Sequence, residues 1–283
     1  TQGVSSAASD VYKRQGWHAI LFVGGVVPML FAGVLWAVLP ESAKFLAVQG
    51  DRREELIKTV NRVQPHAADG STRFVMPDAS GGGKAAIKMI VSKPHTVTTV
   101  ALWTGLFMNL LTVYFLNSWL PIMVKDDGFT LADAAMVGAM MQLGGTFGNI
   151  VIGWLMDRWA QHYVQIGALT FAGALTVALG NLDPDINGLM ALCFFLGFCI
   201  NSSNTGWTAM AAGYYPTSMR ATGTSWMTGI GRFGAISGAS IGAVLLGLQW
   251  DFGQLFLALT VPIGIAVVAA FVKGSQRLSL IHI

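Results

Sequence analysis

The segment Tyr214-Tyr215-Pro216-Thr217-Ser218-Met219-Arg220-Ala221-Thr222-Gly223 opens a long, glycine-rich apolar run that continues to Leu248. From Thr222 to Leu248 the run is roughly 40 Å long as a helix, which is enough to cross a lipid bilayer with some tilt. Arg232 is the single charged residue in this run. The segment therefore predicts a membrane-spanning helix with an arginine near the middle of the membrane.

Arg232 and the glycines that follow it occupy different faces of this predicted helix. A guanidinium at mid-membrane costs several kcal/mol if it faces lipid, so we expect Arg232 to face a cavity or a partner. Gly234, Gly238 and Gly242 repeat at four-residue intervals and form a face suited to close helix contact. Arg232 lies about 200° around the helix from Gly234. We interpret Arg232 as the anchor for an anionic substrate.

The composition indicates an integral membrane protein. Of the 283 residues, 53% are hydrophobic and 11% are charged, whereas a soluble domain carries about 25% charged residues. Cys193 and Cys199 lie six residues apart, on opposite faces of a helix, which favours buried packing over a disulfide or a metal site. The sequence contains no CxxC, HExxH, P-loop or nucleic-acid-binding motif, so we expect no cofactor, no metal and no nucleic-acid partner.

Both ends of the chain differ abruptly from their neighbours. Residues 1–15 and 278–283 resemble translated sequencing-adaptor sequence, although natural polar tails are the alternative. We exclude both ends from fold reasoning and expect an interior fragment of a longer protein. Residues 274–283 are assigned to a tail.

Hydropathy predicts seven membrane spans, and a polar, basic loop at 43–95 separates the first from the rest. The predicted spans are 16–39, 96–120, 131–156, 163–182, 187–212, 222–248 and 254–273. Within the loop, a capping-box pattern at Asp51 predicts a short surface helix. Its predicted apolar face contains Leu56, Ile57, Val60 and Val63. The three glycines at 81–83 predict a flexible linker.

Lysine and arginine are concentrated on one side of these spans. The 43–95 loop, Arg158, Arg220 and Lys273 lie on that side, whereas Asp126, Asp127, Asp183, Asp185 and Asp251 lie on the other. The positive-inside rule makes the 43–95 loop and the C-terminus cytoplasmic. Tryptophans near the span ends fit interfacial belts. They are Trp119 and Trp250 outside, and Trp154 and Trp159 inside.

Four predicted spans carry polar stripes that could line one pathway. One span contains Gln142, Thr146 and Asn149 at helical spacing. The other stripes contain Asn109, Thr112, Asn117 and nearby Tyr114; Asn201, Asn204, Thr205 and Thr208; and Ser225, Thr228 and Arg232. The alternative is that the amides and hydroxyls only bond neighbouring helices to each other. No Asp or Glu lies deep in any span.

Several motifs resemble those of the major facilitator superfamily. Pro40-Glu41-Ser42 looks like the PES motif that closes its sixth helix, and Gly153–Arg158 looks like the second GxLxDR loop, with Trp159 in place of the usual glycine. The stretches 107–121, 214–223 and 229–234 are similar to the aromatic acid:proton symporter family. The resemblance covers about residues 16–277.

The resemblance implies an all-α membrane fold truncated to about seven helices. Residues 16–42 would be helix six, 43–95 the cytoplasmic central loop and 96–273 the C-terminal six-helix half. It also implies transport roles for His162, Arg220 and Arg232, and gating or structural roles for Asp157 and Arg158. The acidic motifs that the family carries in helices one and four have no counterpart here, so proton-coupling residues are not visible.

The resemblance and the polar stripes together predict a proton-coupled importer of aromatic carboxylates in the bacterial plasma membrane, expected to be monomeric. The residues assigned to substrate binding are Arg232, Asn109, Tyr114, Asn117, Gln142, Asn201 and Asn204. A carrier of another organic anion or of a sugar-like solute is the alternative, and a seven-helix receptor or membrane enzyme is a further one. Arg220 could simply obey the positive-inside rule, and His162 could be a structural loop residue.

Overall fold

The computed structural model describes most of the chain from residue 95 onward and scattered segments before it. The described residues are 22, 24–39, 41, 46, 52–64, 67–70, 72, 74, 89–93, 95–182 and 184–281, without the side chains of 217, 218 and 276–281. The chain divides into two units, Thr1–Ala79 and Ser80–Ile283. Within the described residues both units contain helices and no strands.

The first unit contains two described helices. Helix α1, Gly24–Val38, is apolar and exposed along nearly its whole length, from 40% at Leu35 to 90% at Trp36. At 1.5 Å per residue α1 is too short by itself to cross about 30 Å of hydrocarbon. The predicted span begins at residue 16, and residues 16–21 lie outside the described residues. The first predicted span, 16–39, therefore stays a prediction.

Helix α2, Arg53–Val63, confirms the predicted surface helix. Leu56 is buried on the predicted apolar face, whereas Val63 is 86% exposed. The helix begins after Arg52, which makes no side-chain capping bond. Asp51 and the glycines at 81–83 lie outside the described residues.

The described residues of the second unit form six helices that are each long and apolar enough to cross a membrane. They are α3 (Thr96–Asp126), α4 (Leu131–Arg158), α5 (Gln161–Asn181), α6 (Ile186–Tyr214), α7 (Thr217–Gly247) and α8 (Phe252–Ile281). They confirm the six spans predicted after residue 95, with shifts of up to eight residues at the ends. Helix α8 continues to Ile281, whereas the predicted span ended at 273 and residues 274–283 were assigned to a tail. The largest shift in α3 comes from Pro121, at which the predicted span stopped although the helix continues. The protein is a multi-pass membrane protein.

The six helices pack as two interlocked sets of three. Helix α3 packs most extensively on α7, α4 on α6, and α5 on α8. Short connections make successive helices antiparallel, so α3 and α6 start on opposite sides of the bundle. Exchanging α3–α5 with α6–α8 preserves this packing pattern, which is the arrangement of an inverted-topology repeat.

The predicted glycine face joins α7 to α3. A Cβ added at Gly234 would overlap the backbone oxygen of Phe107, and one at Gly238 would overlap that of Leu111. Small residues let two helix backbones approach this closely, and the resulting van der Waals packing holds the helices together. Such packing is needed because the hydrophobic effect does not drive helices together within a bilayer. The glycine face is therefore confirmed as the α3–α7 contact.

A second glycine contact joins α4 to α6 and was not predicted. Cβ atoms added at Gly144 and Gly148 would overlap the backbone oxygens of Phe194 and Phe198. The spacing of Gly144 and Gly148 is the same small-xxx-small pattern. The two equivalent helix pairs of the repeat thus use the same contact.

The structure also describes the two cysteines and one of the predicted belt tryptophans. Cys193 and Cys199 are both buried with free thiols, as predicted. Trp119, predicted for an interfacial belt, is half-buried between α3 and α7. Its Nε1 donates a hydrogen bond to the backbone oxygen of Ala239 at 2.8 Å, which satisfies the indole N–H. The interfacial position of Trp119 stays a prediction.

Candidate functional site

A cavity of about 300 Å³ opens between α3, α6 and α7. Side chains from all three helices line it because α3 packs against both of the others. The lining residues are Leu106, Leu110, Val113, Tyr114, Asn117, Asn204, Thr208, Thr228 and Arg232. Four of the predicted substrate ligands therefore meet in one place, namely Tyr114, Asn117, Asn204 and Arg232.

Arg232 is the single charged residue among those that line the cavity. It forms no ion pair with any residue that the structure describes. A guanidinium can donate five N–H bonds in a planar fork that matches a carboxylate. The cavity therefore carries an uncompensated positive charge suited to an organic anion.

The amides and the phenol of the cavity are also available for a ligand. Asn117, Asn204 and Tyr114 make no side-chain hydrogen bond within the described part of the chain. Thr208 and Thr228 already donate to backbone oxygens of their own helices, at 3.1 and 2.9 Å, so their hydroxyl oxygens can still accept. These unused groups can bind polar substituents of a ligand.

One wall of the cavity is apolar. Leu106, Leu110 and Val113 lie at i, i+4 and i+7 on α3 and form a continuous stripe. A flat apolar group can pack against this stripe while its polar substituents reach the arginine and the amides. The cavity thus combines a cation, hydrogen-bonding groups and an apolar wall.

Three predicted substrate ligands lie outside this cavity. Asn109 is only 1% exposed, and neither amide atom has a hydrogen-bond partner among the described residues. The Asn201 Nδ2 donates to Gln142 Oε1 at 3.0 Å, joining α6 to α4. Thr205 and Asn149 form a second such bond at 2.7 Å. The α4 stripe therefore bonds α4 to α6.

His162 lies in the first turn of α5 and not in a loop, because α5 begins at Gln161. Its ring lies 4.1 Å from that of Tyr163, measured between centroids, and it packs beside Gly274 of α8. It does not line the cavity. The structure thus places His162 at the contact between α5 and α8.

Arg220 lies near the start of α7, where its Nε donates to the backbone oxygen of Tyr215 at 3.3 Å. This bond ties α7 to the connection that follows α6. Asp157 and Arg158 occupy the last turn of α4. In the part of the chain that the structure describes they form no ion pair, and the Arg158 guanidinium instead lies 4.4 Å from the Trp154 ring centroid.

Two further hydrogen bonds at the same end of the bundle were not predicted. The Tyr215 hydroxyl donates to Thr99 Oγ1 at 3.0 Å, and His95 Nδ1 lies 2.9 Å from the Tyr214 hydroxyl. Burial raises the pKa of Tyr215 above its ordinary value of 10.0, so the phenol remains a donor at neutral pH. The adjacent tyrosines before Pro216 were the available signal, but their partners are more than a hundred residues away.

The structure also bears on metal binding. No group of three or more His, Cys, Asp or Glu side chains in the described residues is arranged to hold a metal ion.

Comparison with solved structures supports the same architecture. The Escherichia coli fucose:proton symporter FucP matches with a TM-score of 0.60 and 14% identity, covering 91% of this chain and 66% of that protein. At this identity the similarity shows the fold alone.

Curated relatives are more similar in sequence. The 4-hydroxybenzoate transporter PcaK of Pseudomonas putida is 41% identical over 268 residues, covering 94% of this chain and 60% of that protein. The gallate transporter of Pseudomonas putida is 38% identical over 265 residues, covering 94% of this chain and 59% of that protein. The chain thus spans about three fifths of the length of these relatives, which are transporters and not enzymes.

The sequence profile described as Major Facilitator Superfamily matches residues 5–184 and, in a second alignment, 102–279. Together the matches extend over nearly the whole chain. The inverted-repeat packing of α3–α5 against α6–α8 is the arrangement found within each six-helix half of transporters of this family. The chain belongs to the major facilitator superfamily.

Proposed function

We propose that this chain is part of a proton-coupled importer of aromatic carboxylates of the 4-hydroxybenzoate and benzoate class. The observation that carries the proposal is Arg232, which forms no ion pair with any described residue and lies in a cavity whose described lining includes no carboxylate. The guanidinium would bind the substrate carboxylate, and the aromatic ring would pack on the Leu106–Leu110–Val113 stripe. The names of the relatives, which specify 4-hydroxybenzoate and gallate, support this substrate class.

The transport cycle would use alternating access. In this proposal residues 16–42 form the sixth helix, 43–95 the central loop and 96–273 the C-terminal half of a twelve-helix protein. Rocking of this half against a preceding half would expose the cavity first to one side and then to the other. The cavity side chains Asn117, Asn204 and Arg232 are exposed in this half alone, which is consistent with a partner half facing them.

The proton carrier would lie outside the cavity described here. None of the described residues that line the cavity is Asp, Glu or His, so the titrating group would come from another part of the full-length protein. By "full-length protein" we mean the product of the complete reading frame that contains this chain.

The remaining predicted transport residues would act at the cytoplasmic ends of the helices. Arg220 would hold the α6–α7 connection, and His162 would hold the α5–α8 contact. Asp157 and Arg158 would contact the opposite half during closure. The proposal places the protein in the bacterial plasma membrane as a monomer, with the 43–95 loop and the C-terminus inside.

Uptake of labelled 4-hydroxybenzoate by cells that express the full-length protein tests this function. We expect Arg232→Ala to lower uptake at least 30-fold, because removing one member of a buried charge pair typically costs more than 2 kcal/mol. Arg232→Lys should recover part of the uptake, since it keeps the charge but loses the bidentate fork. Lys125→Ala is the matched control, because Lys125 is an exposed cation at the end of α3. Normal uptake by Arg232→Ala would remove the arginine from the mechanism.

A sugar-like solute is the competing substrate, since two asparagines and two threonines can bind hydroxyl groups. A neutral sugar would leave the Arg232 charge unpaired in the cavity, which is unfavourable. In a competition panel, fucose and aliphatic acids should therefore inhibit uptake less than benzoates do. Stronger inhibition by a sugar than by benzoates would contradict the proposed class of aromatic carboxylates and favour a sugar-like substrate.

A further inference from the structure

We infer that Tyr114 and Asn117 bind a second polar group of the substrate, at the end of the ring opposite its carboxylate. This inference rests on the proposed function and specifies which aromatic acids the cavity selects. It assigns the para-hydroxyl of a 4-hydroxybenzoate-like acid to these two side chains, and the carboxylate to Arg232 with Asn204.

The packing register of α7 on α3 places Arg232 at one end of the cavity. Gly231, which precedes Arg232, packs against the side chains of Leu106 and Leu110. Tyr114 and Asn117 lie four and seven residues beyond Leu110, about 6 and 10 Å farther along α3. An elongated ligand bound to Arg232 would therefore extend along the apolar stripe toward Tyr114 and Asn117.

The register of α6 on α3 separates Asn204 from this distant pair. The Trp207 ring packs on Gly105, and α6 runs antiparallel to α3. Moving three residues back along α6, from Trp207 to Asn204, therefore corresponds to moving about 5 Å along α3 from Gly105, to the level of Leu106–Leu110. Asn204 thus lies at the end of the cavity that holds Arg232.

The unused hydrogen-bonding capacity at the distant end sets the selectivity. The Asn117 amide and the Tyr114 hydroxyl make no hydrogen bond with other described residues. A phenolic hydroxyl can donate to the Asn117 oxygen and accept from the Tyr114 hydroxyl. Benzoate has no group at this position and would leave both side chains unpaired inside the closed transporter. A site built for a hydroxyl discriminates strongly against an analogue that lacks it.

The test measures binding of benzoate, 3-hydroxybenzoate and 4-hydroxybenzoate to the purified full-length protein. We expect the parent to bind 4-hydroxybenzoate about tenfold more tightly than benzoate, which corresponds to one net hydrogen bond. In Asn117→Leu this ratio should fall to about two, mainly through weaker binding of 4-hydroxybenzoate. Tyr114→Phe removes only the hydroxyl and should lower the ratio about threefold, so it tests the same inference if Asn117→Leu fails to fold.

Asn181→Ala is the matched control. Asn181 is an exposed asparagine at the end of α5, and its side chain donates to the backbone of its own helix. It should leave the ratio unchanged. 3-Hydroxybenzoate tests the position of the hydroxyl group. Its hydroxyl points away from the long axis of the molecule, so it should bind little more tightly than benzoate.

The outcomes separate this inference from the function on which it rests. A parent protein that binds none of the three acids would overturn the proposed function, and this inference with it. A parent that binds all three, with both variants weakening benzoate and 4-hydroxybenzoate equally, would overturn only the assignment of Tyr114 and Asn117. Selective loss of the tenfold preference in either variant supports the assignment.

Discussion

The Asn201 side chain donates a hydrogen bond to Gln142 across the contact between α6 and α4, with 3.0 Å between the nitrogen and the oxygen. Both residues were candidates for substrate binding because they lie on polar stripes. Their mutual bond uses one donor and one acceptor, and neither lines the cavity that contains Arg232. The bond favours the alternative in which these amides hold two helices together.

This arrangement predicts that Gln142 and Asn201 contribute to stability more than to substrate affinity. We expect Gln142→Leu and Asn201→Leu to show a coupling energy of about 0.6 kcal/mol in a double-mutant cycle, as is usual between membrane helices. The cycle is measured by unfolding of the purified protein in detergent. Each single variant should keep its 4-hydroxybenzoate affinity within about threefold. A tenfold loss of affinity without loss of stability would return both residues to the binding site.

The glycine face of α7 predicts a strong position dependence for alanine substitutions. Gly238→Ala should lower the free energy of unfolding by about 1–3 kcal/mol, because the new methyl overlaps the backbone oxygen of Leu111. Gly229→Ala is the matched control on the same helix, since no atom lies within 4 Å of the added Cβ. Thermal unfolding and size-exclusion chromatography measure both variants. Equal stability of the two would contradict the packing of α7 on α3.

The buried Tyr215 predicts a dependence of stability on pH. Tyr215→Phe removes the hydrogen bond to Thr99 and should cost about 1 kcal/mol at neutral pH. The pKa of Tyr215 is raised in the folded protein, so its stabilising contribution is complete below pH 10 and is lost as the pH rises through the folded pKa. The stability difference between parent and variant should therefore shrink above pH 10.

Unfolding curves of the two proteins at pH 8 and above pH 10 measure this change. Tyr163→Phe is a suitable control because Tyr163 is 65% exposed. A difference that grows with pH would mean that the phenol is not held protonated by the fold.

Hydropathy was sufficient to predict the six helices after residue 95, because each is a long segment of high mean hydropathy with few charged residues. The spacing of Gly234 and Gly238 also predicted the helix-packing face correctly. Such periodic features follow from the local geometry of one helix, so they can be read without knowing its neighbours.

The composition of the cavity could be predicted only in part. Asn109 and Asn117 lie on the same helix, eight residues apart, and therefore differ by about 80° in direction. That rotation separates a buried amide from one that lines the cavity. Which of the two faces the cavity depends on how α6 and α7 pack on α3, and this packing is a long-range property.

The partners of the polar side chains were likewise invisible in the sequence. Tyr215 and Thr99 are separated by 116 residues, and Asn201 and Gln142 by 59. The sequence showed that these side chains are polar within or beside membrane helices. It did not show that they satisfy each other, because hydrogen bonds between helices leave no periodic pattern.

Direct binding of labelled 4-hydroxybenzoate to the purified full-length protein in lipid nanodiscs tests the central claim most directly, since binding is measured apart from proton coupling and movement. The account predicts saturable binding by the parent and by Lys125→Ala, and at least a 30-fold loss of affinity in Arg232→Ala. Unchanged affinity in a correctly folded Arg232→Ala protein would contradict the claim that Arg232 anchors the substrate carboxylate.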